Sequence, residues 1–168
     1  MRVDKIYFDM DGVLADFNRG VAELCGIAPP LKQDEDPVED EIMWAHVKEV
    51  PHFYDKLELM PGAKEMFDLL YKKYGDKCEI LTGIPNERRG LKNVAEDKIK
   101  WMRRLLSEDI VINTVRKTDK KDYVKGGGYI LIDDLEPTVE TWNALGGTGI
   151  LHTSAAETLE ILKNLGII

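Results

Sequence analysis

The sequence has few cysteines, no long apolar run and a shortage of basic residues. Its two cysteines, Cys25 and Cys78, lie far apart and form no CxxC pair, which is typical of neutral thiols in a reducing compartment. No stretch approaches the ~20 apolar residues of a transmembrane helix, so we expect no membrane partner. The first residues enter a strand-like segment at once, which predicts no signal peptide and a cytoplasmic location.

The formal net charge of −8 argues against a polymeric nucleic acid as partner, because such a partner normally needs a basic face. A small phosphate ester is compatible with this charge, since a few local groups can hold one phosphate. The length of 168 residues and the apolar content of 43% are ordinary for one soluble globular domain, with room for a small insertion.

Short apolar runs alternate with helix-like stretches along most of the chain. The apolar runs are residues 6–8, 78–81, 110–115, 129–132 and 149–151. The helix-like stretches between and after them are 63–74, 97–106, 119–124, 137–145 and 155–165. In the first of these, Met66, Leu69 and Leu70 have the spacing of one helix face. The alternation predicts an α/β fold with three layers, in which a Rossmann-like parallel sheet of about five strands lies between helices.

The segment 16–60 breaks this alternation. It contains a helix-like stretch at 17–25, a Pro-Pro turn, an acidic segment at 34–37 and a second helix-like stretch at 38–50. We expect it to be a small helical cap inserted after the first strand, with the core domain formed by 1–15 and 61–168. The acidic segment is expected to be a solvated loop and helix start rather than a metal site.

Polar side chains end three of the predicted strands. Asp9 and Asp11 follow the first strand and, two positions apart, point the same way. Thr82 ends the second strand, and Asp133 and Asp134 end the fourth. Since ligands of open α/β sheets bind beyond the carboxyl ends of the strands, these groups are expected to converge.

Together with a basic segment at 116–121, these residues provide the parts that phosphoryl transfer needs. A carboxylate can attack phosphorus, a hydroxyl and an ammonium can hold the phosphate oxygens, and an attacked carboxylate becomes an aspartyl-phosphate. Two carboxylates as close as Asp9 and Asp11 repel each other unless a cation or a shared proton lies between them. A ligand set made only of oxygens favours Mg²⁺.

The order of these motifs resembles that of the haloacid dehalogenase-like (HAD) phosphatases. The matching segments are DMDGV at 9–13, LTG at 81–83, a lysine before the fourth strand, and IDD at 132–134. The resemblance implies that Asp9 is the nucleophile and that Asp11 is first the general acid and then the general base. It also implies that Mg²⁺ is held by the Asp9 carboxylate, the Asp11 carbonyl and Asp134, with Asp133 close behind.

The phosphate-binding residues follow from the same resemblance. They would be Thr82, Gly83 and a lysine, although Gly83 stands where relatives have a small hydroxyl residue and could contribute only its backbone N–H. Thr118-Asp119-Lys120 best matches the family's lysine signature, so Lys120 is the first choice. Lys117 and Lys121 are close alternatives, and Lys98 is a more distant one.

A narrower resemblance is to the 5′(3′)-deoxyribonucleotidases of that superfamily, carried by residues 9–17 and 53–63. It implies a 5′-nucleotidase of (deoxy)ribonucleoside monophosphates, in which Phe17, Trp44 and Phe53 hold the base. The aromatic residues of the cap could equally be its core. A phosphatase of another metabolite, such as a sugar phosphate, and a nucleotide-binding regulator with vestigial hydrolysis remain alternatives.

Overall fold

The computed structural model describes residues 1–31 and 35–168. Asp34 of the acidic segment lies outside the described residues, whereas Glu35 and Asp36 are exposed. The Asp36 carboxylate accepts hydrogen bonds from the backbone N–H groups of Val38 and Glu39, at 3.0 and 3.1 Å. It therefore caps the following helix, as predicted for a helix start.

The described residues form one sheet of five parallel strands in the order β3-β2-β1-β4-β5. The strands are β1 (Lys5–Phe8), β2 (Cys78–Ile84), β3 (Val111–Arg116), β4 (Tyr129–Asp133) and β5 (Thr148–Leu151). In the register of β1, Phe8 lies beside Ile80 of β2 and Ile132 of β4. Asp9, Thr82 and Asp133 follow this row of three residues by one or two positions, so they lie at the same edge of the sheet. The predicted α/β fold and the common edge are thereby confirmed.

Helices connect the strands. They are α1 (Phe17–Gly20), α2 (Pro37–Lys48), α3 (Ala63–Tyr74), α4 (Val94–Leu105), α5 (Glu136–Ala144) and α6 (Ala155–Asn164). A π-helical turn covers Val21–Cys25, and 3₁₀ turns cover Phe53–Lys56, Gly75–Lys77, Glu87–Arg89 and Lys117–Tyr123. The helix expected at 119–124 is thus a 3₁₀ segment that starts two residues earlier.

Alternation along the strands divides the core between the two faces of the sheet. Ile6 and Phe8 of β1 belong to the larger cluster, which contains buried side chains from α3, α4 and α6. Tyr7, between them, points to the smaller cluster with Leu81, Leu131 and Trp142 of α5. Helices therefore cover both faces, which confirms the three-layer arrangement.

The buried face of helix α3 shares Met66 and Leu70 with the predicted face but does not include Leu69. Ala63, Met66, Phe67 and Leu70 are buried, whereas Leu69 is 44% exposed. The stripe still has the i, i+3, i+4, i+7 spacing. The prediction was wrong for Leu69 because Phe67, the larger side chain, faces the sheet and contacts Phe8, with ring centroids 5.3 Å apart.

The segment between β1 and α3 is helical, as expected. Its buried aromatic side chains belong to the same continuous cluster as those of α3 and α4. Trp101 of α4 donates its indole N–H to the carbonyl of Leu57 at 2.8 Å, which fastens the end of this segment to the core. The division into a core domain and a separate cap stays a prediction. Over the described ranges, every helix is too short or too polar to pass through a bilayer.

Candidate active site

A tight turn after β1 presents the first two carboxylates. The carbonyl of Met10 accepts the backbone N–H groups of Leu14 and Ala15, both at 2.9 Å, so the chain folds back immediately. Gly12, within this turn, has a φ of +79°, a backbone conformation that residues other than glycine rarely adopt. A Cβ atom at Gly12 would lie 2.0 Å from Oδ2 of Asp134. Glycine at this position therefore makes room for the second acidic pair.

Lys120 joins the acidic residues of two strands. Its ammonium donates to Oδ1 of Asp9 at 3.0 Å and to Oδ2 of Asp133 at 2.8 Å, and all three side chains are buried. Burial alone would lower the pKa of Lys120, but the charges of Asp9 and Asp133 outweigh it and raise this pKa above its usual value. Lys120 is therefore held as a cation beside the carboxylate expected to attack phosphorus.

The three acidic side chains at this edge have the arrangement of a metal site. Carboxylate oxygens of Asp9, Asp133 and Asp134 all lie within 4.8 Å of one another. Burial, and then the nearby charges of Asp9, Asp133 and Asp11, raise the pKa of Asp134 to about 9. The cluster thus concentrates more negative charge than Lys120 balances, and a divalent cation would offset the excess.

Asp133 and Asp134 differ in the groups that hold them. Asp133 accepts the backbone N–H of Leu135 on Oδ1 at 2.9 Å and Lys120 on Oδ2, so both of its oxygens are engaged. Asp134 faces the turn at Gly12. This difference fits the expected roles, in which Asp134 binds the metal directly and Asp133 lies behind it without binding the metal. Those roles remain a prediction.

A second buried lysine, Lys98, contacts the other half of the site. From α4, it donates to Oδ2 of Asp11 at 2.9 Å, to Oγ1 of Thr82 at 2.9 Å and to the carbonyl of Gly83 at 2.8 Å. Sequence reasoning ranked Lys98 as a distant alternative, yet it lies inside the site. The other two candidates, Lys117 and Lys121, are exposed.

The sequence does contain a signal for Lys98. The buried positions of α4 are Val94, Asp97, Lys98, Trp101 and Met102. This is the i, i+3, i+4, i+7, i+8 stripe of a core-facing helix, interrupted by two charged residues. Because charged groups are rarely buried unless paired, a charged pair on an apolar stripe indicates buried partners.

Asp97, next to Lys98 on the same stripe, has its own partner in the helical segment. The Nδ1 atom of His52 lies 2.9 Å from its carboxylate. His52 itself adopts a positive φ of 54° in the turn before Phe53. This contact, like that of Trp101, ties α4 to the helical segment beside the site.

The three aromatic residues expected to hold a base pack mainly against each other. Phe17, Trp44 and Phe53 are buried, and the ring of Phe17 lies 5.8 Å from that of Trp44 and 5.5 Å from that of Phe53. This geometry favours the alternative of core packing. Contact with substrate stays a prediction for all three.

Tyr54 is a neighbour of the site, although it was not among the aromatic residues expected to hold a base. Its hydroxyl is buried and has no hydrogen-bond partner among the residues that the structure describes. Burial, and then the charges of Asp11 and Asp9, raise the pKa of Tyr54 well above its usual value. Its ring lies over the ammonium of Lys98, 4.5 Å from Nζ to the ring centroid. A neutral aromatic side chain therefore covers the cation that holds Asp11.

Comparison with known proteins gives the fold a family context. No protein-family model and no curated protein sequence matches the chain. Among solved structures, it is similar to a HAD-family hydrolase from Deinococcus radiodurans with bound phosphate and sodium, at 14% identity and a TM-score of 0.60, over 99% of this chain and 97% of that one. It is also similar to the HAD-hydrolase YfnB from Bacillus subtilis bound to magnesium, at 14% identity and a TM-score of 0.59, over 96% and 99% of the two chains.

A third similar structure is the magnesium complex of a HAD-family enzyme from Bacteroides thetaiotaomicron. Identity is 14% and the TM-score is 0.52, over 97% of this chain and 99% of that one. Each of the three likenesses extends over nearly the whole of both chains, so it involves the helical segment as well as the sheet. These likenesses show that the chain has the fold of HAD-family hydrolases.

Proposed function

We propose that the protein is a Mg²⁺-dependent phosphomonoesterase that works through an aspartyl-phosphate on Asp9. The observation that carries this proposal is the convergence of two clusters at the same sheet edge. Lys120 joins Asp9 to the acidic pair, and Lys98 joins Asp11 to Thr82. A nucleophile, a proton carrier, a hydroxyl donor and a cation are thereby available to one phosphate group.

The residues of the site suit the metal. Asp9 offers a buried carboxylate and Asp134 a half-buried one, in a cluster with excess negative charge. Bound there, Mg²⁺ would screen the charge of the phosphate oxygens. Similar structures were crystallised with magnesium, and another with phosphate. These bound ions support the choice of metal and of substrate group.

The chemistry then divides between two carboxylates. A carboxylate oxygen of Asp9 attacks phosphorus, and the bond from phosphorus to the ester oxygen breaks while Asp11 gives its proton to that oxygen. Asp11 next takes a proton from water, whose oxygen attacks the same phosphorus and releases inorganic phosphate and the Asp9 carboxylate. Lys120 holds Asp9 in place and offsets charge on the phosphate throughout.

Turnover of p-nitrophenyl phosphate tests this proposal. We expect hydrolysis by the wild-type protein that requires Mg²⁺ and disappears in Asp9→Asn. The matched control Asp109→Asn, which changes an exposed aspartate far from β1 in sequence, should retain activity. A wild-type protein that binds Mg²⁺ but does not turn over, or activity that survives in Asp9→Asn, would contradict the proposal.

For the substrate, we propose a nucleoside 5′-monophosphate, with preference for the deoxy form. The support is the resemblance of residues 9–17 and 53–63 to deoxyribonucleotidases. A screen of deoxy- and ribonucleoside monophosphates against sugar phosphates separates this substrate class from the alternative. Higher kcat/KM for a sugar phosphate than for every nucleotide would refute it.

A further inference from the structure

Lys98 uses all of its hydrogen-bonding capacity on residues of the candidate active site. An ammonium has three N–H donors and no acceptor. In the folded protein these donors face Oδ2 of Asp11, Oγ1 of Thr82 and the carbonyl of Gly83, at 2.8 to 2.9 Å. The side chain is fully buried, and the ring of Tyr54 lies over Nζ. Lys98 therefore has no donor left for a substrate.

The contact with Thr82 determines what its hydroxyl can do. A threonine hydroxyl has one proton to donate and lone pairs that accept. Because Oγ1 accepts from Lys98, the hydroxyl proton is free to point toward another acceptor. Thr82 lies two residues before the end of β2, near the sheet edge that also carries Asp9. Lys98 thus keeps Thr82 available as a donor to a phosphate oxygen.

The contact with Asp11 makes its two oxygens unequal. Oδ2 is held by Lys98, whereas Oδ1 is buried and has no hydrogen-bond partner within the described residues. A buried oxygen without a partner is costly for the folded state, so it is a natural position for a partner that arrives with the substrate. Oδ1 is therefore the oxygen placed to exchange a proton with the leaving group and with water.

We propose that Lys98 is a positioning residue that anchors Asp11 through Oδ2, leaving Oδ1 to carry the proton, and that orients the hydroxyl of Thr82. This inference rests on the proposed phosphatase function and deepens it. Lys98 acts through Asp11 and Thr82 and does not touch the substrate. Its role differs from that of Lys120, which faces Asp9 and Asp133.

The leaving group provides a readout that a purely structural lysine would not change. Phenol is a much weaker acid than p-nitrophenol, so phenyl phosphate depends far more on proton donation by Asp11 than p-nitrophenyl phosphate does. General acid catalysis contributes about 10²- to 10⁴-fold. If Lys98→Met loosens Asp11, kcat/KM for phenyl phosphate should fall on the order of 10- to 100-fold more than kcat/KM for p-nitrophenyl phosphate.

The experiment measures both substrates with the same preparation in Mg²⁺, so the folded fraction cancels from the ratio. The matched control is Lys100→Met, an exposed lysine of the same helix, which should leave the ratio unchanged. A second variant, Lys98→Ala, is assayed with added methylammonium. Methylammonium should increase the hydrolysis of phenyl phosphate more than that of p-nitrophenyl phosphate, because the small cation replaces the missing ammonium.

Two failures can be told apart. Equal losses for the two substrates in Lys98→Met, no loss at all, or a ratio in Lys98→Ala that methylammonium does not change would overturn the inference and leave the phosphatase function intact. Absence of Mg²⁺-dependent turnover by the wild-type protein would instead overturn the proposed function, and the role of Lys98 with it.

Discussion

Replacing Gly12 with alanine should displace the carboxylate of Asp134. The new Cβ atom would lie 2.0 Å from Oδ2 and 2.5 Å from Cγ of that side chain, far inside any normal contact distance. Either Asp134 rotates or the turn after β1 shifts. Both movements separate Asp134 from Asp9 and Asp133, so the proposed metal site loses a ligand.

Two effects contribute to the expected magnitude. The first is the backbone, because a φ of +79° costs an L-residue about 1–2 kcal/mol in the folded state. The second is the displaced carboxylate, which should weaken Mg²⁺ binding on the order of 10- to 100-fold, as changes around metal ligands commonly do. That loss corresponds to about 1.4–2.8 kcal/mol of binding free energy.

Gly26→Ala is the matched control that separates the two effects. Gly26 also has a positive φ, +69°, but a Cβ atom there would meet nothing within 4 Å among the residues that the structure describes. It should therefore lower the free energy of unfolding by about 1–2 kcal/mol and leave Mg²⁺ affinity unchanged.

Calorimetric titration with Mg²⁺ and urea denaturation measure the two quantities for both variants. The reasoning predicts that only Gly12→Ala loses affinity for Mg²⁺. If Gly12→Ala bound Mg²⁺ as tightly as the wild-type protein, the assignment of Asp134 as a ligand beside this turn would be refuted.

Three further predictions concern the same site. Asp11→Asn should slow turnover of phenyl phosphate by about 10²- to 10⁴-fold. Its Mg²⁺ affinity should change little, because the expected ligand is the backbone carbonyl of Asp11; a loss of affinity in calorimetry would contradict that assignment. Lys120→Met removes the cation shared by Asp9 and Asp133. In urea denaturation, it should lower the free energy of unfolding by about 3–5 kcal/mol without Mg²⁺ and by less with Mg²⁺. The same loss with and without Mg²⁺ would argue that the metal does not compensate for the missing charge. Because the pKa of Asp134 is about 9 when folded and 3.8 ordinarily, the unfolded chain binds fewer protons between these values, and the metal-free protein should lose stability as pH rises. The increase in Tm on adding Mg²⁺ should therefore grow from about pH 6 to about pH 8.5, and a constant increase would contradict the link.

The sequence was sufficient to predict the sheet edge because strand ends follow simple rules. Asp9, Thr82 and Asp133 each come directly after an apolar run or end it, and parallel strands bring such positions together whatever the details of the connecting helices. Lys120 could be chosen only by its resemblance to a family signature, since three lysines lie within residues 117–121. The structure distinguishes them by burial, which periodicity does not predict for a 3₁₀ turn.

Lys98 and Tyr54 show what the sequence could not supply. Lys98 contacts Asp11 and the ring of Tyr54 covers Lys98, although all three are far apart in sequence. These contacts depend on how α4 packs against the turn Phe53–Lys56. The charged pair Asp97-Lys98 on an apolar stripe indicates buried partners but not which ones. For the aromatic residues, residue type and packing favour different roles. Their types predict a base-binding surface, whereas their rings pack together around Phe17, and contact with substrate stays a prediction.

Trapping the covalent intermediate tests the central claim most directly. Wild-type protein is mixed with p-nitrophenyl phosphate and Mg²⁺, quenched in acid, and reduced with borohydride, which converts an aspartyl-phosphate to homoserine. Peptide mass spectrometry should find homoserine at Asp9, and only when substrate is present. Turnover without modification of Asp9, or modification at Asp11 instead, would contradict the account.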